Sequence, residues 1–365
     1  MPYNNARLQG ILGGHMSDVF AVIMAGGRGE RFWPLSTAGL PKPFIPLLGP
    51  RTLIQQTVDR LLPMIDPAQM LISIGEAHRE IAGEQLPRIP PENFILEPVG
   101  RDTAACLGYC ALHIERRDPE SAMIAVPADH YVADEAAYRR TLARGLKALP
   151  RATGVVFGIR PTRPETGYGY IQAERIEPNM DDHAVRRFVE KPDAEHARAY
   201  LAAGDYYWNS GIFLWRNRRL LELLRNHMPE LYRGLDLLRP FIGCPETRDD
   251  VYRIFAGLPR ISIDFGVAEK ASGLRLVPAE YEWDDIGNWG ALERALPADA
   301  SGNVALGPHT AVDARDCITY SDAGTIALFG VSDLVVVQSR GRVLVCSKDH
   351  AADLKRLVAE LGPED

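Results

Sequence analysis

Short apolar runs alternate with segments of helical periodicity through the first half of the chain. The runs VFAVIMAG, MLISIG, NFILEP and SAMIAVPADH have the length and flanking residues of buried strands. Between them, RTLIQQTVDRLLPMI and TAACLGYCALHIERR have the apolar spacing of helices. This alternation predicts βαβ units around a mostly parallel sheet, and such sheets bind ligands where their strands end.

The pattern changes twice further along the chain. From residue 154, the strand-like runs GVVFGI, YGYIQAE, AVRRFVEKP and SGIFLWR lie closer together, and the basic helical segment RNRRLLELLRNHM follows. They predict a second lobe on the same sheet. Beyond Pro297, short runs separated by Gly and Asp turns end in the helical pattern HAADLKRLVAEL. We therefore predict an α/β domain over 17–296 and a β-rich unit with a terminal helix over 297–365.

Composition excludes several classes of protein. The chain has 365 residues, a net charge of −7 and a pI near 5.8, which argues against a nucleic-acid partner but permits a local pocket for a small anion. No apolar run approaches the roughly 18 residues of a membrane span, and no signal peptide is evident. The segment 1–16 ends in GGHM, typical of a cloning remnant, and we interpret it as a tag or disordered extension.

The cysteines favour a reducing cytoplasm. The five cysteines are odd in number and lack CxxC spacing, so they predict neither a disulfide framework nor a zinc site. Cys106 and Cys110 are four residues apart in an apolar segment, which predicts packing on one helix face rather than redox pairing.

A glycine-rich loop follows the first strand-like run. In AVIMAGGRGER, the glycines from Gly26 onward permit a tight turn whose backbone N–H groups approach an anion. The loop completes neither the dinucleotide fingerprint nor the Walker motif. Arg31 offers a bidentate fork to phosphate, and Lys42 is fixed between two prolines, so the pair suits a triphosphate. The alternatives are an unoccupied structural turn and a surface lysine.

Two aspartates lie where a metal site is expected. Asp129 ends an apolar strand in VPADH, and Asp285 lies in WDDIGNW beside a glycine. Two carboxylates beside phosphates are what Mg²⁺ prefers. A capping or turn role explains either residue equally well.

Residues for a sugar phosphate follow in the second lobe. Glu190 and Lys191 end an amphipathic strand in RFVEKPD, where a carboxylate accepts sugar hydroxyls and an ammonium meets a phosphate. Asn209 precedes a strand in WNSGIF and has donor and acceptor capacity for a hydroxyl. An exposed ion pair and a turn remain the alternatives.

The order of motifs resembles that of a known family. GGRGERFWPLS, PKPF, EPVGRDTA, VPADH, GYGYI, FVEKP, NSGIF, SIDFGVAEK and WDDIGNW occur as in the mannose-1-phosphate guanylyltransferases, over roughly residues 19–362. The resemblance implies a Rossmann-like (GT-A-like) nucleotidyltransferase fold, with a mixed sheet flanked by helices and a small C-terminal β unit. It implies that 17–296 is the catalytic domain and that 297–365 forms a homodimer.

The resemblance also implies a reaction and residue roles. The reaction is Mg²⁺-dependent transfer of GMP from GTP to mannose 1-phosphate, which yields GDP-mannose and pyrophosphate by direct attack. The implied triphosphate loop, with its catalytic cations, comprises Gly26, Gly27, Arg28, Gly29, Arg31 and Lys42. The implied metal ligands are Asp129 and Asp285. The implied sugar contacts are Gly169, Glu190 and Asn209, with Lys191 at the sugar phosphate.

Two departures from the family pattern bear on the site. Asp102 stands in EPVGRDTA where the family usually has Asn, and we hypothesise that its carboxylate accepts hydrogens from guanine. Asp284 stands where Ser is common.

Three alternative functions stay open at this point. The first is transfer of a nucleotide to another sugar 1-phosphate, of heptose or glucose type. The second is a glycosyltransferase that uses a nucleotide sugar, and the third is a catalytically silent sensing subunit. Retention of the motif residues argues against the last.

Overall fold

The structure, a computed structural model, describes residues 19–27, 29–174, 180–244 and 247–362. The predicted extension over 1–16 lies outside the described residues. The chain divides into two compact units. The first holds residues up to 26, 58–128 and 132–282, and the second holds 27–57, 129–131 and 283–365. The predicted boundary at residue 297 stays a prediction.

The first unit is built on a nine-stranded sheet. Its strands are β1 (Val19–Met24), β2 (Met70–Gly75), β3 (Phe94–Glu97), β4 (Ala122–Pro127), β6 (Gly154–Ile159), β7 (Tyr170–Ala173), β8 (His183–Val189), β9 (Tyr206–Arg216) and β10 (Leu274–Pro278). Their order across the sheet is β3-β2-β1-β4-β9-β6-β10-β8-β7. Every strand predicted up to residue 216 is present, and both lobes lie on one sheet as predicted.

The sheet is mixed because β8 and β9 run opposite to their neighbours in the sheet. Strands β1 to β4 pair in parallel, whereas β9 runs antiparallel to both β4 and β6. Asn209 lies inside β9, so the prediction that it precedes a strand is wrong. The register of β9 against β6 shifts between Val156 and Gly158. This irregularity accommodates Gly211, whose φ is +68°, so that β9 continues past Asn209 without ending there.

Helices alternate with the strands along the described part of the chain. They are α1 (Leu53–Leu61), α2 (Arg79–Gln85), α3 (Asp102–Glu115), α4 (Glu135–Ala148), α5 (Ala194–Ala203), α6 (Asn217–His227), α7 (Pro229–Leu238), α8 (Arg248–Ala256), α9 (Leu292–Ala295) and α10 (Leu354–Leu361). Helix α3 is buried along most of its length, and its Cys106 and Cys110 are free and buried, as predicted. No helix in the described part of the chain is long and apolar enough to cross a bilayer.

The C-terminal part of the second unit is β-rich. Strands β12 (Val304–Leu306), β14 (Ile318–Ser321), β16 (Leu334–Ser339) and β17 (Arg342–Ser347) form one sheet, and β13 (His309–Val312) pairs in parallel with β15 (Ile326–Phe329). The short strands β5 (Tyr131–Val132) and β11 (Trp283–Asp284) pair with each other. The terminal helix is present, but it begins at Leu354 after a 3₁₀ turn rather than at His350.

Candidate functional site

The segment after the glycine loop belongs to the core of the second unit. The Phe32 and Trp289 rings lie 5.2 Å apart, and the Trp289 indole donates a hydrogen bond of 3.1 Å to the Trp33 carbonyl. Both tryptophans and Phe32 are buried together with apolar residues of the β-rich strands. This packing fixes the end of the loop that carries Arg31.

The glycines at positions 27 and 29 have backbone reasons to be glycine. Gly27 has a φ of +105° and Gly29 a φ of +63°, a region that side chains with a Cβ rarely adopt. A Cβ on Gly29 would also lie 2.6 Å from the Cβ of Lys42. Gly29 therefore allows the loop to pass directly over the lysine.

Lys42 is the centre of a polar cluster in the second unit. It begins a 3₁₀ turn over Lys42–Phe44, and the residue is only 6% exposed. The ammonium forms an ion pair of 2.8 Å with Asp129 Oδ2 and donates a hydrogen bond of 2.7 Å to the backbone carbonyl of Asp285. The lysine therefore joins the two predicted metal ligands, and its burial excludes the alternative of a surface lysine.

Asp129 is held as a carboxylate by this arrangement. Burial alone would raise its pKa, but the positive charge of Lys42, helped by His130 and by the hydrogen bond from the lysine, lowers the pKa of Asp129 below its usual value. The imidazole Nδ1 of His130 lies 3.1 Å from the indole nitrogen of Trp283, which donates to it. This contact links the Asp129 segment to the segment that leads into Asp285.

Arg31 and Asp285 both lie close to the backbone at Gly287. The Arg31 guanidinium donates a hydrogen bond of 3.2 Å to the Gly287 carbonyl. A Cβ at Gly287 would lie 3.2 and 3.3 Å from the two carboxylate oxygens of Asp285 and 3.3 Å from Arg31 Nη1. Glycine therefore permits the Asp285 carboxylate and the Arg31 guanidinium to lie close to the backbone at this position.

Asp284 supports the Asp285 loop from inside the protein. Its carboxylate is buried and accepts two hydrogen bonds from Arg294, of 2.6 and 3.0 Å. It also accepts one of 2.8 Å from the backbone N–H of Ile286, whose φ is +44°. Arg294 is thus the charged partner of the Asp284 carboxylate.

The donors at this cluster fit a magnesium ion. In nucleotide sites Mg²⁺ takes one or two carboxylates and completes its octahedron with phosphate oxygens and water. Asp129 is ionised, and both carboxylate oxygens of Asp285 lie beside the backbone at Gly287. In the part of the chain that the structure describes, no group of three or more His, Cys, Asp or Glu could hold a metal. Magnesium binding by Asp129 and Asp285 stays a prediction.

A second cluster lies in the first unit and unites the predicted sugar contacts. A Cβ on Gly169 would lie 2.6 Å from Glu190 Oε2 and 3.4 Å from the Cβ of Asn209. The Asn209 backbone N–H also donates to the Gly169 carbonyl at 2.8 Å. Glycine at 169 therefore permits Glu190 and Asn209 to approach each other.

Lys191 lies beside this cluster because the chain turns there. Strand β8 ends at Val189, and Lys191 has a φ of +43°. The turn brings the Lys191 ammonium to 3.2 Å from Glu190 Oε1, while the lysine side chain stays 63% exposed. This contact is the exposed ion pair at a strand end that the sequence left as the alternative, and the sugar-phosphate roles of both residues stay predictions.

Asp264 is a residue of this cluster that sequence reasoning missed. It accepts a hydrogen bond of 2.7 Å from the side-chain amide of Asn209. Burial first, then the charges of Glu190 and Asp102, raise the pKa of Asp264 to about 6. The signal available in the sequence was its place in the motif SIDFGVAEK, which was recognised without a role for the aspartate.

The remaining predicted residues are placed as follows. Gly26 follows β1 and has open space around its Cα. Asp102 begins α3 with a φ of +66° and accepts a hydrogen bond of 2.7 Å from the Thr103 N–H. Arg28 lies outside the described residues. The roles of all predicted site residues stay predictions.

Comparisons with known proteins identify the family of this chain. The nucleotidyl transferase family model matches residues 20–302, and the MannoseP isomerase/GMP-like beta-helix domain model matches residues 307–361. The mannose-1-phosphate guanylyltransferase of Escherichia coli K12 is 37% identical over 356 residues, which cover 94% of this chain and 74% of that protein. This chain belongs to the mannose-1-phosphate guanylyltransferase family.

Other relatives support the same assignment. The alginate biosynthesis protein AlgA of Pseudomonas aeruginosa PAO1 is 36% identical, over 94% of this chain and 72% of its own. A crystal structure described as a mannose-1-phosphate geranyltransferase from Thermus thermophilus is 40% identical with a TM-score of 0.86, and the match covers 94% of this chain and 99% of that one. As a member of the mannose-1-phosphate guanylyltransferase family, the chain is a sugar-phosphate nucleotidyltransferase, and the predicted fold class is confirmed.

Proposed function

We propose that the protein transfers GMP from GTP to mannose 1-phosphate, giving GDP-mannose and pyrophosphate. The observation that carries the proposal is the buried Lys42 ammonium, which contacts both Asp129 and Asp285 beside a glycine loop. With Mg²⁺ held by the two aspartates, the buried ammonium and the metal together would give the site the positive charge that suits a triphosphate. The membership of the guanylyltransferase family supports the choice of GTP and mannose 1-phosphate.

The chemistry is a direct displacement at phosphorus. An oxygen of the sugar phosphate attacks the α-phosphorus of GTP, a new P–O bond forms, and the bond to the β-phosphate oxygen breaks as pyrophosphate leaves. Because a phosphate oxygen is ionised near neutral pH, the reaction needs no general base. Catalysis then depends on alignment and on neutralisation of charge.

Each cationic side chain has a part in this reaction. Arg31 and Lys42 bind the triphosphate and stabilise the negative charge that develops on the departing pyrophosphate. Lys191 binds the phosphate of the sugar and orients the attacking oxygen. When Mg²⁺ is bound by Asp129 and Asp285, it supplies further neutralisation of phosphate charge.

The remaining contacts define the two substrates. Glu190 accepts hydroxyl hydrogens of the sugar, and Asn209 beside Gly169 offers both a donor and an acceptor. The backbone of the glycine loop contacts the nucleotide phosphates. We further propose that Asp102 accepts hydrogens from guanine. The cytoplasmic location stays a prediction.

The test is pyrophosphate release with a panel of substrates. The protein is incubated with Mg²⁺, each nucleoside triphosphate and each of mannose, glucose and heptose 1-phosphate. We expect release that depends on the sugar phosphate and is fastest with GTP and mannose 1-phosphate. If release is fastest with another sugar phosphate, the proposed mechanism would stand but the proposed sugar substrate would be wrong. Breakdown of GDP-mannose without any release from GTP would overturn the proposal in favour of a glycosyltransferase.

We also propose that the β-rich unit forms a homodimer. Phe329 is 76% exposed and pairs in register with Val312, which is 49% exposed. On β17, Val343 and Val345 are 62% and 60% exposed. Apolar side chains exposed to this degree, on the paired strands β13 and β15 and on β17 of the other sheet, are typical of an interface.

Replacement of Phe329 by aspartate should dissociate this dimer. A buried aromatic contributes about 2 kcal/mol or more to an interface, so we expect the dissociation constant to rise by at least roughly 30-fold. Light scattering coupled to gel filtration would measure the mass. The control is Leu237→Asp, since Leu237 is 63% exposed on α7 of the other unit. A monomeric native protein, or equal dissociation by the control, would contradict the proposal.

A further inference from the structure

The amide of Asn209 is held at both ends. Its nitrogen donates to Asp264 Oδ1 at 2.7 Å, and its oxygen accepts from the Gly211 N–H at 3.0 Å. A flipped amide would place its N–H groups against the Gly211 N–H and its oxygen against a carboxylate oxygen, so the two partners select one orientation. An amide nitrogen carries two hydrogens, and after donating one to Asp264 it has the other to offer a ligand.

Asp264 is itself held firmly in place. It begins the π-helical turn Asp264–Ala268, whose later residues are buried. The preceding residue, Ile263, donates its backbone N–H to Thr103 Oγ1 at 2.8 Å, and the Ile261 carbonyl accepts from Ala104 at 3.3 Å. Two hydrogen bonds therefore connect the segment before Asp264 to the first turn of α3.

The surroundings of Asp264 oppose its ionisation. Glu190 faces it from the turn after β8, and Asp102 faces it from the start of α3, and both raise its pKa together with burial. Lys191 pairs with Glu190, and Asp264 instead accepts a hydrogen bond from Asn209. A third carboxylate beside two others costs stability, and such costs are concentrated at functional sites.

We propose that Asp264 is a positioning residue of the sugar subsite, which fixes the amide of Asn209 in the orientation that binds a hydroxyl of mannose 1-phosphate. The inference rests on the proposed function, because it takes Asn209 as a sugar contact. The inference adds Asp264 to the sugar subsite as a residue that acts on the sugar only by orienting Asn209. The carboxylate sets the orientation of Asn209, and Asn209 contacts the substrate.

Steady-state kinetics on three variants test the inference. Asp264→Ala removes the acceptor, and we expect the KM for mannose 1-phosphate to rise about tenfold with the KM for GTP unchanged. Asp264→Asn keeps a carbonyl oxygen that accepts from Asn209, so its KM should stay within about threefold of the native value. Ser262→Ala is the control, since its hydroxyl accepts from Phe265 in the same turn without contacting Asn209. It should leave both constants unchanged.

An unchanged KM for mannose 1-phosphate in Asp264→Ala would overturn the inference. An increase in Ser262→Ala equal to that in Asp264→Ala would also overturn it, because the turn rather than the carboxylate would be responsible. Thermal unfolding of each variant verifies that the folded protein is compared. Absence of turnover in the native protein would count against the proposed function instead.

A second measurement needs no substrate. In protein labelled with ¹⁵N-asparagine, the side-chain amide of Asn209 should shift with a midpoint near the pKa of about 6 for Asp264. Asn209→Ala assigns the resonance, and Asp264→Asn should abolish the transition. A resonance that stays constant between about pH 5 and pH 8 would overturn the contact, whatever the activity of the enzyme.

Discussion

Replacement of Lys42 by methionine should lower kcat for pyrophosphate release by about 10²–10³-fold. Methionine preserves most of the length and apolar surface of the side chain, which lies with its ammonium 5.8 Å from the Phe32 ring, but it removes the charge. That charge is buried and in contact with Asp129 and Asp285, so solvent replaces it poorly. Because the charge acts on the triphosphate, the KM for mannose 1-phosphate should change little.

Lys348→Met is the matched control for this variant. Lys348 also lies in the second unit and forms an ion pair of 2.6 Å with Glu293, which is exposed. Its replacement should leave kcat unaltered, since this ion pair includes none of the predicted site residues. A turnover number for Lys42→Met within twofold of native would contradict the assigned role.

The same variant should change how stability depends on pH. Lys42 keeps the pKa of folded Asp129 below its unfolded value, so this group stabilises the native state above the unfolded pKa and loses that contribution as pH falls through the folded value. Without Lys42, burial is the largest influence and raises the pKa. Lys42→Met should therefore lose more stability at neutral pH than in acid, which thermal unfolding at several pH values would measure.

Replacement of Asp284 by alanine should cause the largest loss of stability, about 3–5 kcal/mol. Asp284 is 4% exposed, and the change removes both hydrogen bonds from Arg294 and the one from the Ile286 N–H. The melting temperature should fall by roughly 5–15 °C. Turnover of the remaining folded protein should also fall, because Asp285 follows directly in the chain and shares this support.

Two further variants separate the causes of this effect. Asp284→Asn retains an acceptor for the Ile286 N–H, so it should lose less stability than Asp284→Ala. Glu293→Ala, which removes an exposed partner of Lys348, should cost at most about 1 kcal/mol. If Asp284→Ala melted at the native temperature, the pair with Arg294 would have no structural importance.

Many residues of the candidate site could be selected from the sequence because they lie in short local motifs. Gly27 and Gly29 have positive φ values. A glycine in a tight loop predicts such a backbone conformation, because other residues rarely adopt it. Lys42 between prolines and the carboxylates at strand ends were also identified from the sequence. Their contacts were not predictable, since Lys42 meets a carbonyl 243 residues further along the chain. Hydrophobic periodicity gives no information on contacts between residues so far apart in the sequence.

The amino-acid sequence by itself determined the elements, because each depends on neighbours a few residues away. The apolar runs of β1, β2 and β4 and the buried helix α3 follow from periodicity alone. Only the tertiary structure decided which strands pair, that β9 runs antiparallel to both its neighbours β4 and β6, and that Asn209 lies within it. It also decided that Asp264 meets Asn209 and that Arg294 meets Asp284. These pairings and contacts depend on segments that are far apart in the sequence. They form only when the folded chain buries its apolar surface and satisfies its hydrogen-bonding groups at the same time.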